Sequence, residues 1–131
     1  MKKVLIVEDD PFWTAIISRY VDGLAEVKTV ISGGQAMELI DNWRPDCLIL
    51  DMLLTGETGV ALLNELRSHS DLIGMPVIIC SSVELEKSDV EPFGVRAILQ
   101  KATMTPDEAR MTIREVLASS KIGRASCKER V

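Results

Sequence analysis

The chain has 131 residues, which is enough for one domain with a substantial core and too few for two. Hydrophobic residues make up 47% of it, which excludes a disordered chain, and its net charge of −5 argues against direct nucleic-acid binding, because phosphate contacts need clustered lysine and arginine. No apolar run approaches the roughly 18 residues of a membrane helix, so we expect a cytoplasmic protein that contacts no membrane.

Short apolar runs alternate with segments of helical periodicity in the first part of the chain. Residues 4–7 are continuously apolar, which predicts a strand buried on both faces. The pair Asp10-Pro11 is typical of a helix start, with aspartate as the N-cap and proline in the first turn. A more polar second strand is predicted over residues 26–31, and the second helix that follows it must end before Pro45.

The same alternation continues to the end of the last predicted helix. Apolar runs predict a third strand over residues 47–50, a fourth over residues 76–80 and a fifth over residues 97–99. A leucine-striped helix is predicted between the third and fourth strands. The segment between the fourth and fifth strands is weakly patterned and predicts a short helix or a loop. Residues 105–108 have the form of a capping box at the start of the last helix.

Five strands that alternate with helices predict an α/β fold with a parallel sheet and helices on both faces. We assign residues 1–120 to this domain. The last eleven residues, 121–131, carry four basic residues and one acid and lack apolar periodicity. We therefore interpret them as a flexible or extraneous basic tail.

Polar side chains that could perform chemistry follow four of the five predicted strands. The carboxyl ends of parallel strands meet at one edge of a sheet, which is where such folds bind ligands. Loop acids and a solvated lysine are the ordinary alternative, but every residue of the set falls at a strand end, which favours a functional site. The set consists of Glu8, Asp9, Asp10, Asp51, Ser81 and Lys101.

Clustered carboxylates repel one another and need a counter-ion, and Mg²⁺ accepts carboxylate oxygens together with phosphate oxygens and water. Asp51 would then be placed to act as a nucleophile that forms an acyl phosphate. The Lys101 ammonium would offset negative charge on the transferring group, and the Ser81 hydroxyl could donate a hydrogen bond to it.

Four motifs in this order and spacing resemble the receiver domain of bacterial response regulators, over residues 2 to about 119. They are the apolar run into Glu8-Asp9-Asp10, the segment from Pro45 to Asp51, the segment from Met75 to Ser82, and Lys101. The resemblance implies a five-stranded parallel sheet of flavodoxin-like order 2-1-3-4-5.

The resemblance also implies roles for individual residues. Asp9 would bind Mg²⁺ directly, Glu8 would bind it through water, and the Leu53 backbone carbonyl would be a further ligand. Asp51 would be both phosphoacceptor and metal ligand, with Lys101 as the phosphate-binding cation and Ser81 as the switch hydroxyl. Asp10 is assigned first to helix capping.

The implied partners are a histidine kinase or histidine phosphotransfer protein as phosphodonor, and a downstream protein target or a lost output domain as receiver of the signal. Such a domain catalyses its own phosphoryl transfer only and is not otherwise an enzyme.

The sequence departs from the family pattern at three positions. Thr55 stands where a proline is usual, Ile98 where the fifth strand usually carries an aromatic switch residue, and Ala102 where a proline usually follows the lysine. Ile98 and Ala102 are the best support for an alternative function, a receiver-like module that binds proteins without phosphorylation.

Two other functions are disfavoured. A haloacid-dehalogenase-type phosphatase would need a second aspartate at position 53, which is leucine. A flavodoxin-like electron carrier would need a phosphate-cradling first loop, which here is acidic.

Two further expectations concern apolar residues. Leu53 and Val83 lie two positions beyond Asp51 and Ser81, where they would flank a phosphoryl group. Neither side chain can orient a hydrolytic water, so we predict slow self-dephosphorylation. Three aromatic residues at helical spacing are predicted to pack in the core; they are Trp13, Tyr20 and Trp43.

Overall fold

The computed structural model describes residues 1–54 and 57–129. The strands are β1 (Lys3–Val7), β2 (Glu26–Val30), β3 (Cys47–Leu50), β4 (Leu53–Leu54), β5 (Glu57–Thr58), β6 (Val77–Ser81) and β7 (Val95–Gln100). The helices are α1 (Pro11–Val21), α2 (Gly33–Asn42), α3 (Gly59–Arg67), α4 (Lys87–Val90) and α5 (Pro106–Glu129), and a 3-10 turn (Glu91–Phe93) follows α4.

Five strands form one parallel sheet in the order β2-β1-β3-β6-β7, so the predicted order 2-1-3-4-5 is confirmed. Residues 4–7 of β1 and all four residues of β3 are buried, as their continuous apolar sequences predicted for central strands of a parallel sheet. The two-residue strands β4 and β5 form a separate antiparallel pair in the β3–α3 connection, which the sequence did not predict.

The core has two halves, one on each face of the sheet. Successive side chains of a strand point to opposite faces, so Leu5 of β1 belongs to one half and Ile6 to the other. The half under α2 and α3 includes Ile40 and Leu63, and the half under α1 and α5 includes Ile113. The prediction of helices on both faces is therefore confirmed.

Helix α1 begins where its sequence predicted. The Asp10 side chain accepts a hydrogen bond from the N–H of Phe12 at 3.0 Å, and Pro11 occupies the first turn. An N-cap of this kind is worth about 1 kcal/mol. The cap fixes the direction in which the chain leaves β1, and it thereby positions the acids between the strand and the helix.

Two regions differ from the regular alternation. The weakly patterned segment after β6 forms only the four-residue α4 and the 3-10 turn. Helix α5 extends to Glu129 and so includes most of the segment assigned to a tail, and the domain boundary at residue 120 stays a prediction. Among the described residues, no helix combines the length and the apolar character that crossing a bilayer requires.

Candidate functional site

The carboxyl ends of the central strands bring the polar residues to one edge of the sheet. The N–H of Glu8 donates to the Val30 carbonyl at 3.0 Å, and the N–H of Asp51 donates to the Val7 carbonyl at 3.0 Å. These bonds extend the parallel ladders by one residue beyond each strand. Glu8 and Asp51 are therefore held side by side by the sheet itself.

Three carboxylates form the centre of this edge. Glu8, Asp9 and Asp51 each offer one oxygen, and the three oxygens lie within 4.8 Å of one another. Glu8 and Asp51 are buried and Asp9 is half-buried, so water screens their mutual repulsion only in part. Glu8 Oε2 accepts a hydrogen bond from the backbone N–H of Asp10 at 3.1 Å, and Asp51 Oδ1 accepts one from the backbone N–H of Leu53 at 3.2 Å.

Lys101 supplies the positive charge of the site. Its Nζ donates to Glu8 Oε1 at 2.7 Å and lies 3.6 Å from Asp51 Oδ2, and its side chain is only 6% exposed. Burial by itself lowers the pKa of Lys101, but the bond to Glu8 and the charge of Asp51 outweigh it and hold that pKa above its ordinary value. Lys101 is therefore an ammonium throughout the physiological range.

The pKa of Glu8 is raised, although an ion pair with a lysine would by itself lower the pKa of a carboxyl group. Burial, aided by the negative charge of Asp51, raises the pKa of Glu8 although the bonds from Lys101 and from the N–H of Asp10 lower it. Three carboxylates and one ammonium carry a net charge of −2 when ionised. Oxygen donors and an excess of two negative charges fit a hard divalent cation such as Mg²⁺.

Ser81 ends the neighbouring strand β6 and is fully buried. Its Oγ accepts a hydrogen bond from the N–H of Val83 at 3.0 Å, and its carbonyl accepts one from the N–H of Lys101 at 2.8 Å. Ser81 thus connects the β6–α4 loop to the residue that carries the ammonium. Two apolar side chains stand at the rim, since Leu53 is 51% exposed and Val83 is 37% exposed.

Gly59 lets helix α3 start directly against the site. Its N–H donates to the Met52 carbonyl at 2.9 Å. A Cβ at this position would lie 2.9 Å from the Asp51 carbonyl oxygen and 2.9 Å from the Met52 Sδ, which is closer than real contacts allow. A residue without a side chain is therefore required where α3 packs on the end of β3.

Trp13 is a site neighbour that sequence reasoning missed. It packs partly into the core half under α1 and α5, as predicted, but the ring also faces the site, with Lys101 Nζ 5.1 Å from its centroid. Its position in the sequence could have indicated this, because the first turn of α1 directly follows the acidic residues and therefore lies near the carboxyl end of β1. Tyr20 packs on the same core half, and Trp43 is buried in the other.

The three departures from the family pattern have different outcomes in the structure. Ile98 is half-buried in β7 and packs against the core half under α2 and α3. Ala102 is exposed, and the described part of the chain contains no cis peptide bond. Thr55 lies outside the described residues.

The family model described as "Response regulator receiver domain" matches residues 4–117. Among curated relatives, the transcriptional regulatory protein MalR of Bacillus subtilis is 35% identical over 86 residues, which is 63% of this chain and 36% of that protein. The transcriptional regulatory protein BaeR of Escherichia coli is 31% identical over 88 residues, which is 66% of this chain and 35% of that protein. The chain thus spans about a third of the length of these relatives.

Solved structures agree with the fold. A putative response regulator from Chloroflexus aurantiacus superposes with a TM-score of 0.79 at 27% identity, covering 89% of this chain and 98% of that one. A CheY-like receiver domain protein from Methanospirillum hungatei superposes with a TM-score of 0.81 at 21% identity, covering 94% of this chain and 98% of that one.

The family match covers most of the chain, so the resemblance stated from the sequence motifs is confirmed. Receiver domains are the phosphorylation-dependent signalling domains of two-component systems. They generally bind Mg²⁺ through a cluster of acidic residues, and they interact with sensor histidine kinases and output domains. The family match, the sheet order β2-β1-β3-β6-β7 and the acidic cluster at the carboxyl ends of its strands agree, and this chain belongs to the response regulator receiver domain family.

Proposed function

We propose that Asp51 of this domain accepts a phosphoryl group, with the help of Mg²⁺, from a phosphohistidine on a histidine kinase or a histidine phosphotransfer protein. The observation that carries the proposal is the position of Asp51. Its carboxylate is buried, shares a 4.8 Å cluster with Glu8 and Asp9, and has Lys101 Nζ at 3.6 Å. Among the described residues, these three acids form the one group whose carboxylate oxygens come this close together.

The residues of the cluster suit the roles that the family implies. Asp9 and Asp51 would hold Mg²⁺ directly, Glu8 would act through a water, and Leu53 would offer its backbone carbonyl. The bound ion would offset the charge of the phosphoryl oxygens. Glu8 suits the indirect role, since one of its oxygens already binds Lys101 and the other binds the N–H of Asp10.

In the phosphoryl transfer, the protein mainly positions the reacting groups and stabilises their charge. A carboxylate oxygen of Asp51 attacks phosphorus, and the new O–P bond forms as the N–P bond to histidine breaks. The phosphohistidine ring, protonated on its other nitrogen, keeps the electron pair of the broken bond and leaves as neutral imidazole. Lys101 lies too far from Asp51 for a hydrogen bond, at 3.6 Å, and can therefore bind a phosphoryl oxygen without first releasing the nucleophile. The domain thus catalyses only its own modification.

Ser81 is the proposed link from chemistry to conformation. Its Oγ accepts from the N–H of Val83, so a hydroxyl that turns to donate to a phosphoryl oxygen would pull the β6–α4 loop with it. We propose that this movement changes the face presented to a downstream protein or to an output domain. The net charge of −5 on the whole chain argues against direct contact with nucleic acid, and we propose neither that contact nor one with a membrane.

We also propose that residues 1–120 suffice for this function and that residues 121–131 are a separate basic segment. The family match ends at residue 117, which supports a functional boundary near that position although α5 continues beyond it.

The test is incubation with Mg²⁺ and acetyl phosphate, a small phosphodonor, followed by intact-mass measurement. Wild type should gain one phosphate only when Mg²⁺ is present, and Asp51→Asn should gain none. Asp41→Asn is the matched control, because it makes the same change at an exposed position in α2. A wild type that binds Mg²⁺ but gains no phosphate would refute the proposal. That result would favour the phosphorylation-independent binding module and direct attention to Ile98 and Ala102.

A further inference from the structure

We propose that Trp13 is a positioning residue for phosphoryl transfer, and that the face of its indole ring holds the Lys101 ammonium beside Asp51. The inference rests on the proposed function, because it concerns how fast Asp51 is phosphorylated.

The contact joins distant parts of the chain. Trp13 lies in the first turn of α1, and Lys101 follows β7. The Nζ atom is 5.1 Å from the ring centroid, inside the distance of about 6 Å over which an aromatic face attracts a cation. Only 6% of the Lys101 side chain is exposed, so water competes little with the ring.

The ring complements the other contacts of the ammonium. Glu8 binds Nζ at 2.7 Å, whereas Asp51 lies at 3.6 Å, so the hydrogen bond by itself draws the ammonium toward Glu8. A cation over a ring face has no single bonded direction, unlike one in a hydrogen bond. The ammonium can therefore move toward a phosphoryl oxygen while the ring keeps it in the site and limits the rotamers of a long side chain.

The ring itself is well anchored. Thr14 donates its hydroxyl to the Glu8 carbonyl at 3.4 Å, and the Asp10 cap fixes the start of α1. The rings of Phe12 and Trp13 meet in a T-shaped arrangement, with centroids 5.4 Å apart and planes at 82°. The indole therefore has a fixed position relative to the acidic cluster, which a positioning residue requires.

The test compares phosphorylation rates with acetyl phosphate and Mg²⁺ for wild type, Trp13→Leu and Trp13→Phe. Trp13→Leu keeps an apolar side chain but removes the cation-binding face, and we expect a rate about 2- to 30-fold lower. Trp13→Phe restores an aromatic face and should recover most of that loss. Tyr20→Leu is the matched control, because Tyr20 lies on the same helix and packs on the same core half; it should react at the wild-type rate.

A double-mutant cycle separates positioning from packing. In a Lys101→Met background, Trp13→Leu should have no further effect on the rate, because the residue acts through the ammonium. An equal further loss in that background, or equally slow Trp13→Leu and Trp13→Phe, would overturn the inference.

The two proposals fail in different ways. A wild type that gains no phosphate would refute the proposed function and this inference together. A wild type that is phosphorylated, with Trp13→Leu reacting at the same rate, would overturn the inference alone.

Discussion

Replacing Asp9 by asparagine should stabilise the metal-free protein, although it removes a proposed Mg²⁺ ligand. Asp9 shares a cluster with two buried carboxylates, Glu8 and Asp51, and without a bound cation the three repel one another. Asparagine has nearly the same shape and no charge, so the substitution relieves the repulsion without leaving a cavity.

The size of the effect follows from the spacing. Two like charges 4.8 Å apart repel by about 0.9 kcal/mol at the dielectric constant of water and by about 3.5 kcal/mol at an effective constant of 20. Asp9 is half-buried and faces two such charges, while the Lys101 ammonium offsets part of the repulsion. We expect the free energy of unfolding to rise by about 1 to 2 kcal/mol. In a chain of this size, each kcal/mol raises the melting temperature by roughly 3 to 5 °C.

The assay is urea unfolding followed by tryptophan fluorescence, in EDTA and in millimolar Mg²⁺. Mg²⁺ should stabilise wild type, because it binds only the folded state, and it should stabilise Asp9→Asn much less. Asp10→Asn is the matched control: it changes the neighbouring acid, which lies outside the cluster, and asparagine caps a helix as well as aspartate does. If Asp9→Asn were less stable than wild type in EDTA, or if Asp10→Asn gained as much, repulsion in the cluster would not be the cause.

Three further predictions concern the rim, the acid and the glycine of the site. Leu53→Asn and Val83→Glu should each speed loss of phosphate from the domain by roughly tenfold, since either side chain can orient a water; unchanged decay, read by intact mass, would contradict this. The pKa of Glu8 is raised above its ordinary 4.5 in the folded protein, so the stability that its proton contributes is lost as pH rises through the folded pKa. Mg²⁺ affinity should fall as pH falls through that same raised pKa, and calorimetric titration in a series of buffers from pH 4.5 upward would show a flat profile if Glu8 took no part. Gly59→Ala should cost about 1 to 3 kcal/mol in urea unfolding, because its Cβ would lie 2.9 Å from a backbone oxygen. Gly74→Ala, whose Cβ meets nothing within 4 Å, should be close to neutral.

The fold could be predicted in large part because its central strands are buried on both faces. Residues 4–7 and 47–50 are continuously apolar for that reason, and each ends at an acid. The order of the strands could not be predicted from local patterns, because these do not show which distant strands pair. The predicted order depended on the family resemblance. The β4–β5 pair was missed because two-residue strands leave no periodicity to read.

The cluster of charged residues could be predicted because the carboxyl ends of parallel strands lie at the same edge of a sheet. Glu8, Asp51 and Lys101 each needed only a correct strand boundary. Trp13 could not be found in this way. Helical spacing predicts that an apolar side chain faces the interior, but the group it meets there depends on the contact between α1 and the end of β7, which are far apart in the sequence.

The aromatic ring beside the site comes from helix α1 and not from the fifth strand of the sheet. β7 contains no aromatic residue, and its Ile98 packs against the core half under α2 and α3. The ring that faces the Lys101 ammonium belongs to Trp13, which packs in the opposite half, under α1 and α5. A shift of the ammonium toward a phosphoryl group would therefore alter its contact with Trp13 of α1. A rotation of the Ser81 hydroxyl toward the same group would instead move the β6–α4 loop, through the hydrogen bond from Val83. The site is thus connected to both faces of the sheet, and neither connection requires an aromatic residue in β7.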